Sequence, residues 1–382
     1  MSTSVRPSEV NSPSRRLAVV FGGPSPEHDV SILTGLQVAR ELSVAGREVL
    51  ALYWSKAGEW FSVDPAMEAA GFLDGVPRGS EHVRLVIGER GGFEVPAGRL
   101  GRPKSLSVDV VVNCCHGGPG EDGSLQGALD LAGLPYTGPS VQGAAVGQDK
   151  LVFAAAVSSA GLPALPRALL AQGRGDPGFD GPYIVKPRFG GSSIGIEVVA
   201  DIETARARLV ANPHLRYGAV VEPYRTELFD LNIAVRTWPV TELSAIERPV
   251  RTTTGSEILG YADKYVGGEG MASAPRQLPA ELPDALAGEL RKAALLVADV
   301  AGVRGVARVD FLSDGESLFV NEVNTIPGSL ARYLWVDPPL GFGDLISGLV
   351  AEALSRPTAH QNAAGADGTV LRSAGSIAAK LA

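Results

Sequence analysis

Residues 305–325 read GVARVDFLSDGESLFVNEVNT, and their pattern decides what the fold is built around. Two strand-like arms, 307–312 and 319–324, flank Asp314-Gly315, a turn dipeptide, so the stretch predicts a β-hairpin. Side chains alternate faces along a strand. Arg308 and Asp310 therefore share one face of the first arm, and Glu322 and Asn324 share one face of the second. A register centred on Glu316 sets Asp310 opposite Glu322 and Arg308 opposite Asn324. The other face carries Val309, Phe311, Phe319 and Val323 and is expected to meet a core.

Two carboxylates held this close repel unless a cation lies between them. Oxygen donors of this kind suit magnesium, which uses one or two carboxylates together with nucleotide phosphates. The competing reading is a solvated face laced with salt bridges. Against it stands the segment that follows at once, NTIPG (324–328), a turn whose backbone N–H groups could face a ligand.

Working outward, YIVKPRFGGSSIG (183–195) ends a strand on Lys186 and continues into small residues. Gly190, Gly191, Ser192 and Ser193 would let N–H groups approach phosphate oxygens. No Gly-Lys-Ser/Thr opens a helix, so this is not a Walker loop. It joins two strands and could fold over phosphates as a flap, although a plain hairpin explains it equally well. GGPSPEHDVS (22–31) follows the first strand and precedes a helix, without the G-x-G-x-x-G spacing of a dinucleotide fold. Glu27 there is either a substrate-ammonium acceptor or an ordinary solvated acid. HGGPGEDG (116–123) surrounds a His, a Glu and an Asp with glycines. That arrangement is costly in chain entropy and favours a functional loop over a plain turn.

The 382 residues exceed one compact domain. Residues 16–22, 47–54 and 108–115 read as strands and 31–45 and 122–132 as helices, with Gly133 placed to stop the second. This alternation predicts a mostly parallel sheet flanked by helices, with ligand loops, including Glu27 and His116, at strand carboxyl ends. Residues 139–160 read as one long helix, 183–186 and 195–199 as strands, and 281–301 as a helix. The domain reading is 15–139 as an N-terminal α/β unit, then 140–214 and 215–356, with disordered ends at 1–14 and 357–382.

A net charge of −8 disfavours nucleic acid and anionic membranes as main partners. No apolar run approaches the ~20 residues that span a bilayer, and no signal peptide is visible. The adjacent Cys114 and Cys115 suit neither a disulfide framework nor a zinc site, which places the chain in a reducing cytoplasm. The five histidines show no metal-ligand spacing.

Taken in order, GGPSPEHDVS (22–31), HGGPGEDGSLQGALDLAGLPYTG (116–138), QDK (148–150), VKPRFGGSSIGIEVV (185–199), ADKY (262–265) and GVARVDF…NEVNTIPG (305–328) resemble the D-alanine–D-alanine ligases. The resemblance covers about 16–355. It implies an N-terminal pre-ATP-grasp α/β domain followed by a two-subdomain ATP-grasp unit. It implies ATP, two magnesium ions (manganese as an alternative), amino-acid substrates, a homodimer and a role in peptidoglycan precursor synthesis. By position, Lys150 and Lys186 match the phosphate lysines, and Ser192 and Ser193 the flap. Glu222 matches the acid at the adenine end, and Asp310, Glu322 and Asn324 the metal ligands. Glu27 matches the acid that holds the first ammonium. Arg308 and the Gly328 N–H match the oxyanion donors, and Lys264 and Tyr265 the closing loop. His116, Tyr333 and Leu334 complete the expected substrate contacts.

Two departures stand out. The family's Gly-Arg-Glu before a strand reads ELFDLN (227–232) here, which leaves Asp230 as the ribose residue and Glu227 as second choice. After Gly328 the run is SLARYL (329–334), with Tyr333 where the family has a serine for the acceptor carboxylate. That substitution leaves open a sister ligase with another second amino acid, and Arg332 as a replacement carboxylate contact. A nucleotide-binding protein without catalysis is a third reading. The presence of Arg308 and all three metal-type ligands speaks against it.

Overall fold

Strand β1 (Leu17–Gly22) is buried at every position, as expected of a strand covered on both faces. It leads into helix α1 (His28–Val44) and strand β2 (Val49–Trp54). Then come β3 (Trp60–Val63), β4 (Glu81–Val86), β5 (Gly92–Val95), β6 (Lys104–Leu106) and β7 (Val110–Asn113). The computed structural model describes residues 15–88, 91–98, 101–250, 275–356, 358, 363–375 and 377–380. The expected disorder of 1–14 falls outside them, as do Lys264 and Tyr265.

The seven strands form one sheet in the order β6-β5-β4-β3-β2-β1-β7. Only its centre is parallel: β1 pairs in parallel with β2 and β7, while β2 through β6 pair antiparallel. The expected mostly parallel sheet is thus a mixed one. Tight connections such as those from β2 to β3 and from β4 to β5 can join only antiparallel neighbours. One face packs against α1 through Ile32, Leu36 and Leu42. Gly35 allows the close approach, because a Cβ there would lie 2.4 Å from Phe21. The opposite face packs against α2 (Ser124–Ala132), which ends on Gly133 in the left-handed conformation.

The helix expected over 139–160 is two helices, α3 (Val141–Gln148) and α4 (Lys150–Ser159). Asp149 breaks it. Its carboxylate accepts the Leu151 and Val152 N–H groups at 3.0 and 3.3 Å, which is an N-cap geometry. The break sets Lys150 at the first position of α4.

Strands β8 (Ala168–Leu170), β9 (Tyr183–Pro187), β10 (Glu197–Val199) and β11 (Ala219–Pro223) form an antiparallel sheet in the order β10-β9-β11-β8, backed by α5 (Ile202–Ala211). The boundary read at 214 falls inside this unit, because β11 pairs with both β8 and β9. A second antiparallel sheet contains β12 (Phe229–Arg236) and β13 (Glu242–Leu243). After the short pair β14 (Arg248–Pro249) and β15 (Arg276–Gln277) comes α6 (Asp284–Val300). Strands β16 (Val306–Ser313) and β17 (Leu318–Asn324) complete the order β13-β12-β16-β17. Leu290 and Val297 of α6 and Phe153 and Val157 of α4 fill the core against Val309 and Phe311.

The hairpin pairs as expected at its open end, with Arg308 opposite Asn324 and Asp310 opposite Glu322. The register then shifts, so Phe311 pairs with Val320 and Asn321 has no opposite residue, a β-bulge. The bulge reverses the faces beyond it. Leu318 and Val320 enter the core, and Phe319, expected there, is half-buried beneath the Arg225 guanidinium instead.

Helix α7 (Phe342–Ser355) returns to the first sheet and shares its core with α1. The C-terminal stretch, expected to be disordered, holds helices α8 (Thr369–Ala374) and α9 (Ile377–Lys380). Helix α8 buries none of its residues. Its local backbone bonds, not a packed face, are what the low-apolar composition leaves available.

Candidate active site

Glu322 is the hinge of the site. It lines a cavity with Lys150, Lys186, Glu222, Asp230, Asp310 and Asn321, and it also lines a second with Glu27, His116, Ser192, Arg308, Asn324 and Gly328. The first lies between the two antiparallel sheets, and the second reaches the carboxyl end of β1. The sequence-predicted groups from six separate segments therefore converge.

At the first cavity, β9 presents Lys186 and the start of α4 presents Lys150, both buried. Lys186 Nζ donates to Glu222 at 2.9 Å and to Asn321 Oδ1 at 3.2 Å. Burial lowers the pKa of Lys150. The nearby Glu322 carboxylate opposes that, while Arg167 and Lys186 add to it. Glu222 is buried, which alone would raise its pKa, but Arg167 and Lys186 overcome burial and hold it at about 2. Asp230 lines this cavity, whereas Glu227 is exposed and paired with Arg225 at 2.7 Å.

The carboxylate pair does not stand alone. Arg308 forks onto Asp310 with two bonds of 2.7 Å, and Asn324 Nδ2 donates to Asp310 at 3.0 Å. The cation that two adjacent acids require is thus partly supplied by the protein, through Arg308 at Asp310 and Lys150 near Glu322. Among the described residues no group of three or more His, Cys, Asp or Glu side chains forms a metal cage. Two carboxylates and an amide nonetheless make an all-oxygen set that fits magnesium when phosphates complete the shell.

The Gly/Ser loop after β9 folds over the site. Ser192 and Ser193 hold left-handed backbone angles, φ 54° and 58°. Each costs a non-glycine residue roughly 1–2 kcal/mol, strain of the kind found at ligand clamps. The loop is pinned by the Ser192 hydroxyl donating to Glu27 and by Lys150 donating to the Gly190 carbonyl. At Gly191 a Cβ would come within 3.1 Å of the Glu27 carboxylate.

His116, expected as a substrate contact, has both ring nitrogens engaged. Nδ1 lies 2.6 Å from the Ile326 carbonyl and Nε2 lies 2.8 Å from the Thr34 hydroxyl. A carbonyl only accepts, so Nδ1 carries the proton. Burial lowers its pKa to about 4, and Arg308 adds to this, so the ring is neutral. Its part is to brace the turn that carries Gly328. Glu121 braces the same turn, accepting from Ile326 N at 2.9 Å, Thr325 Oγ1 at 3.0 Å and Gly117 N at 2.9 Å. Burial, then the charge of Glu27, raises its pKa to about 7.

Beyond Gly328, three consecutive residues, Ser329, Leu330 and Ala331, hold φ near 50°. Buried Leu330 and Ala331 lock this turn into the core beneath β1. It brings the Tyr333 hydroxyl 3.4 Å from Arg308 Nη1, with the Arg276 guanidinium 4.8 Å from the ring centroid. Arg276 in turn pairs with buried Glu247 at 2.7 Å. Two expectations fail here. Leu334 has no exposed surface, because the turn drives its side chain into the core. Arg332 is exposed and lies over Phe342, so it does not replace a carboxylate contact.

The model of the "D-ala D-ala ligase N-terminus" matches residues 16–139, and that of the "D-ala D-ala ligase C-terminus" matches 171–351. The chain belongs to the D-alanine–D-alanine ligase family. Like its relatives, this ligase is a carboxylate–amine ligase that forms a peptide bond, and its family uses ATP. It is 32% identical over 89% of its length to a D-alanine–D-alanine ligase of Corynebacterium aurimucosum, covering 98% of that protein. It is 34% identical over 90% of its length to one from a Methylobacterium species, covering 92% of that protein. Its fold matches the D-alanine–D-alanine ligase of Coxiella burnetii at a TM-score of 0.73 and 22% identity, over 97% of this chain and 100% of that one. It also matches the VanG D-Ala:D-Ser ligase of Enterococcus faecalis at 0.72 and 22%, over 89% and 99%. The ATP-grasp architecture read from the motifs is therefore the fold of this ligase.

Sequence reasoning passed over Glu121, Asn321, Arg167 and the Glu247–Arg276 pair. Glu121 sits in the glycine-rich loop that was singled out without a role. Asn321 needed the bulge to reach the site, and no motif marks the others.

Proposed function

We propose that this ligase couples ATP cleavage to the joining of two D-alanines, as a step in building a peptidoglycan precursor. The observation that carries the reading is Glu322 lining both cavities. With Glu322 shared, the phosphate end of a nucleotide held by Lys150 and Lys186 would lie beside the place where Glu27 and Arg308 would hold an amino acid.

The carboxylate of the first amino acid attacks the γ-phosphorus, the P–O bond to ADP breaks, and an acyl phosphate results. The amine of the second attacks the acyl carbon, loses a proton, and phosphate leaves. Phosphoryl transfer needs positioning and charge neutralisation, which the two lysines supply. Asp310, Glu322 and Asn324 would hold magnesium, whose bound charge would neutralise the phosphates. Arg308 and the Gly328 N–H face the oxyanion of the second step, and Glu27 the first ammonium. Asp230 takes the ribose and Glu222 positions Lys186. Gly190, Gly191, Ser193 and Ile194 line the cavity at the lysines. The 190–194 loop would lift for a nucleotide to enter, and its return would exclude water from the acyl phosphate. Gly190, Gly191 and Ile194 also line the large outer groove, so lifting would join the two spaces. The family resemblance adds a homodimer and a cytoplasmic setting to the proposal. Among the described residues no helix is long and apolar enough to cross a membrane.

The test is phosphate release from ATP across a panel of D- and L-amino acids, singly and in pairs, with products weighed by mass spectrometry. D-Alanine alone should give ADP, phosphate and the alanine dimer. No turnover with D-alanine, or efficient turnover only with a different partner, overturns the reading.

A pH dependence follows from Glu121. With a pKa near 7, raised above the ordinary carboxylate value, it is protonated in mild acid and gains its charge as pH rises through 7. A second negative charge beside Glu27 strengthens capture of an ammonium. KM for the first D-alanine should therefore fall several-fold between pH 6 and 8. Glu121→Gln should flatten that trend, as read from KM profiles of the two proteins. An equal slope in both assigns the trend elsewhere.

A further inference from the structure

Arg167 lies just before β8, outside every motif, and its side chain is only 4% exposed. Its guanidinium serves three acceptors on three elements. Nε donates to Glu222 Oε1 of β11 at 2.6 Å, Nη1 to the Lys150 carbonyl at the start of α4 at 2.6 Å, and Nη2 to the Asn321 carbonyl at the bulge of β17 at 3.1 Å. Each acceptor leads directly to a phosphate-end lysine. Glu222 uses its other oxygen for Lys186, Asn321 uses its side-chain oxygen for Lys186, and the Lys150 carbonyl belongs to the second lysine itself.

We propose that Arg167 is a positioning residue for nucleotide binding: one buried fork that sets Lys150, Lys186 and the bulge of β17 in mutual register across the two antiparallel sheets. The inference rests on the nucleotide reading above and adds to it a residue that touches no ligand. The planar guanidinium suits the task, because it directs donors along three fixed lines, whereas an ammonium on a flexible stem is a point charge. Its charge also matters. Glu222 is buried, and Arg167 is the first of the two cations that keep it ionised. The bulge gives the arrangement its purpose. Without the extra residue, Asn321 would alternate onto the core face and could not meet Lys186. With it, Asn321 and Glu322 both reach the cavity, and Arg167 bonds the Asn321 carbonyl at the bulge of this edge strand.

The full-length protein carrying Arg167→Lys tests this, since it keeps the positive charge and loses the fork. Calorimetric binding of ADP with magnesium should weaken about tenfold or more, and KM for ATP should rise in parallel. KM for D-alanine should stay within about twofold of the parent, and the melting temperature should change little. A role in holding the sheets together, and nothing more, predicts the reverse: lower melting temperature and less folded protein, with unchanged ADP affinity in the folded fraction. That result overturns the proposal, as does an ADP affinity within twofold of the parent. If Arg167→Lys folds poorly, Arg167→Met/Glu222→Gln removes both buried charges together and is compared with Glu222→Gln alone. ADP binding several-fold weaker in the folded double variant than in that single variant supports positioning, and equal binding in the two overturns it. A parent protein that fails to bind ADP sinks the nucleotide reading itself, and this inference with it.

Discussion

Glu322→Gln is expected to lower kcat for D-alanine-dependent ATP cleavage by about 10³-fold or more, which corresponds to about 4 kcal/mol of transition-state stabilisation. Glutamine fills the same volume, and Glu322 is only half-buried at the rim of its strand, so the fold should survive. What is lost is charge at the junction of the two cavities. The carboxylate faces Lys150 from across the site and helps hold that lysine's charge against burial. It also belongs to the oxygen set that would complete a magnesium shell with phosphates. An amide oxygen is a weaker ligand with no net charge, so the error appears where phosphate charge develops. Phosphate release at saturating substrates measures kcat, and a melting curve alongside shows that the protein is folded. Activity near the parent level, with normal melting, would remove Glu322 from the chemistry and dissolve the link between the cavities.

The hairpin shows what the sequence carried and what it withheld. The pairing of Asp310 with Glu322 was legible because alternation and an Asp-Gly turn leave few registers that bury Val309 and Phe311. The bulge at Asn321 was not, since the arms alternate about equally well with or without it. Its effect, exchanging Phe319 for Leu318 and Val320 in the core, emerges only when β17 packs on α6. Strand β1 was readable as a short continuous apolar run and helix α1 from apolar residues at helical spacing. Strands β3 to β6 are short and partly exposed, so they had no run to announce them. The break at Asp149 was hidden in a stretch that is apolar enough on both sides to pass for one helix. Motif residues such as Lys150, Lys186 and Arg308 were found because their spacing repeats a family pattern. Arg167 was missed because its importance lies entirely in which backbone carbonyls the fold brings to it. Tyr333 was noticed as a departure, yet its environment depends on a left-handed turn that no residue in SLARYL advertises.

Arg308→Lys should produce the other large loss, about 10²–10³-fold in dipeptide formation, the range typical of removing one oxyanion donor. Lysine keeps the charge but not the geometry. The parent guanidinium spends Nε and Nη2 on Asp310 and turns Nη1 toward the Tyr333 hydroxyl. A single ammonium cannot hold Asp310 in a fork and also face the tetrahedral oxygen. Truncation to methionine would confuse the result, because a buried Asp310 left without its cation costs roughly 3–5 kcal/mol in stability. The informative readout is coupling. If Arg308 acts mainly in the second step, the acyl phosphate still forms in the variant but reacts more slowly with the incoming amine. Water then intercepts part of it, and phosphate released per dipeptide should climb well above one. If Arg308 serves the first step instead, ATP cleavage and dipeptide formation should fall together and the ratio should stay at one. A dipeptide rate within threefold of the parent would contradict both versions and leave the Gly328 N–H as the group that must carry the oxyanion.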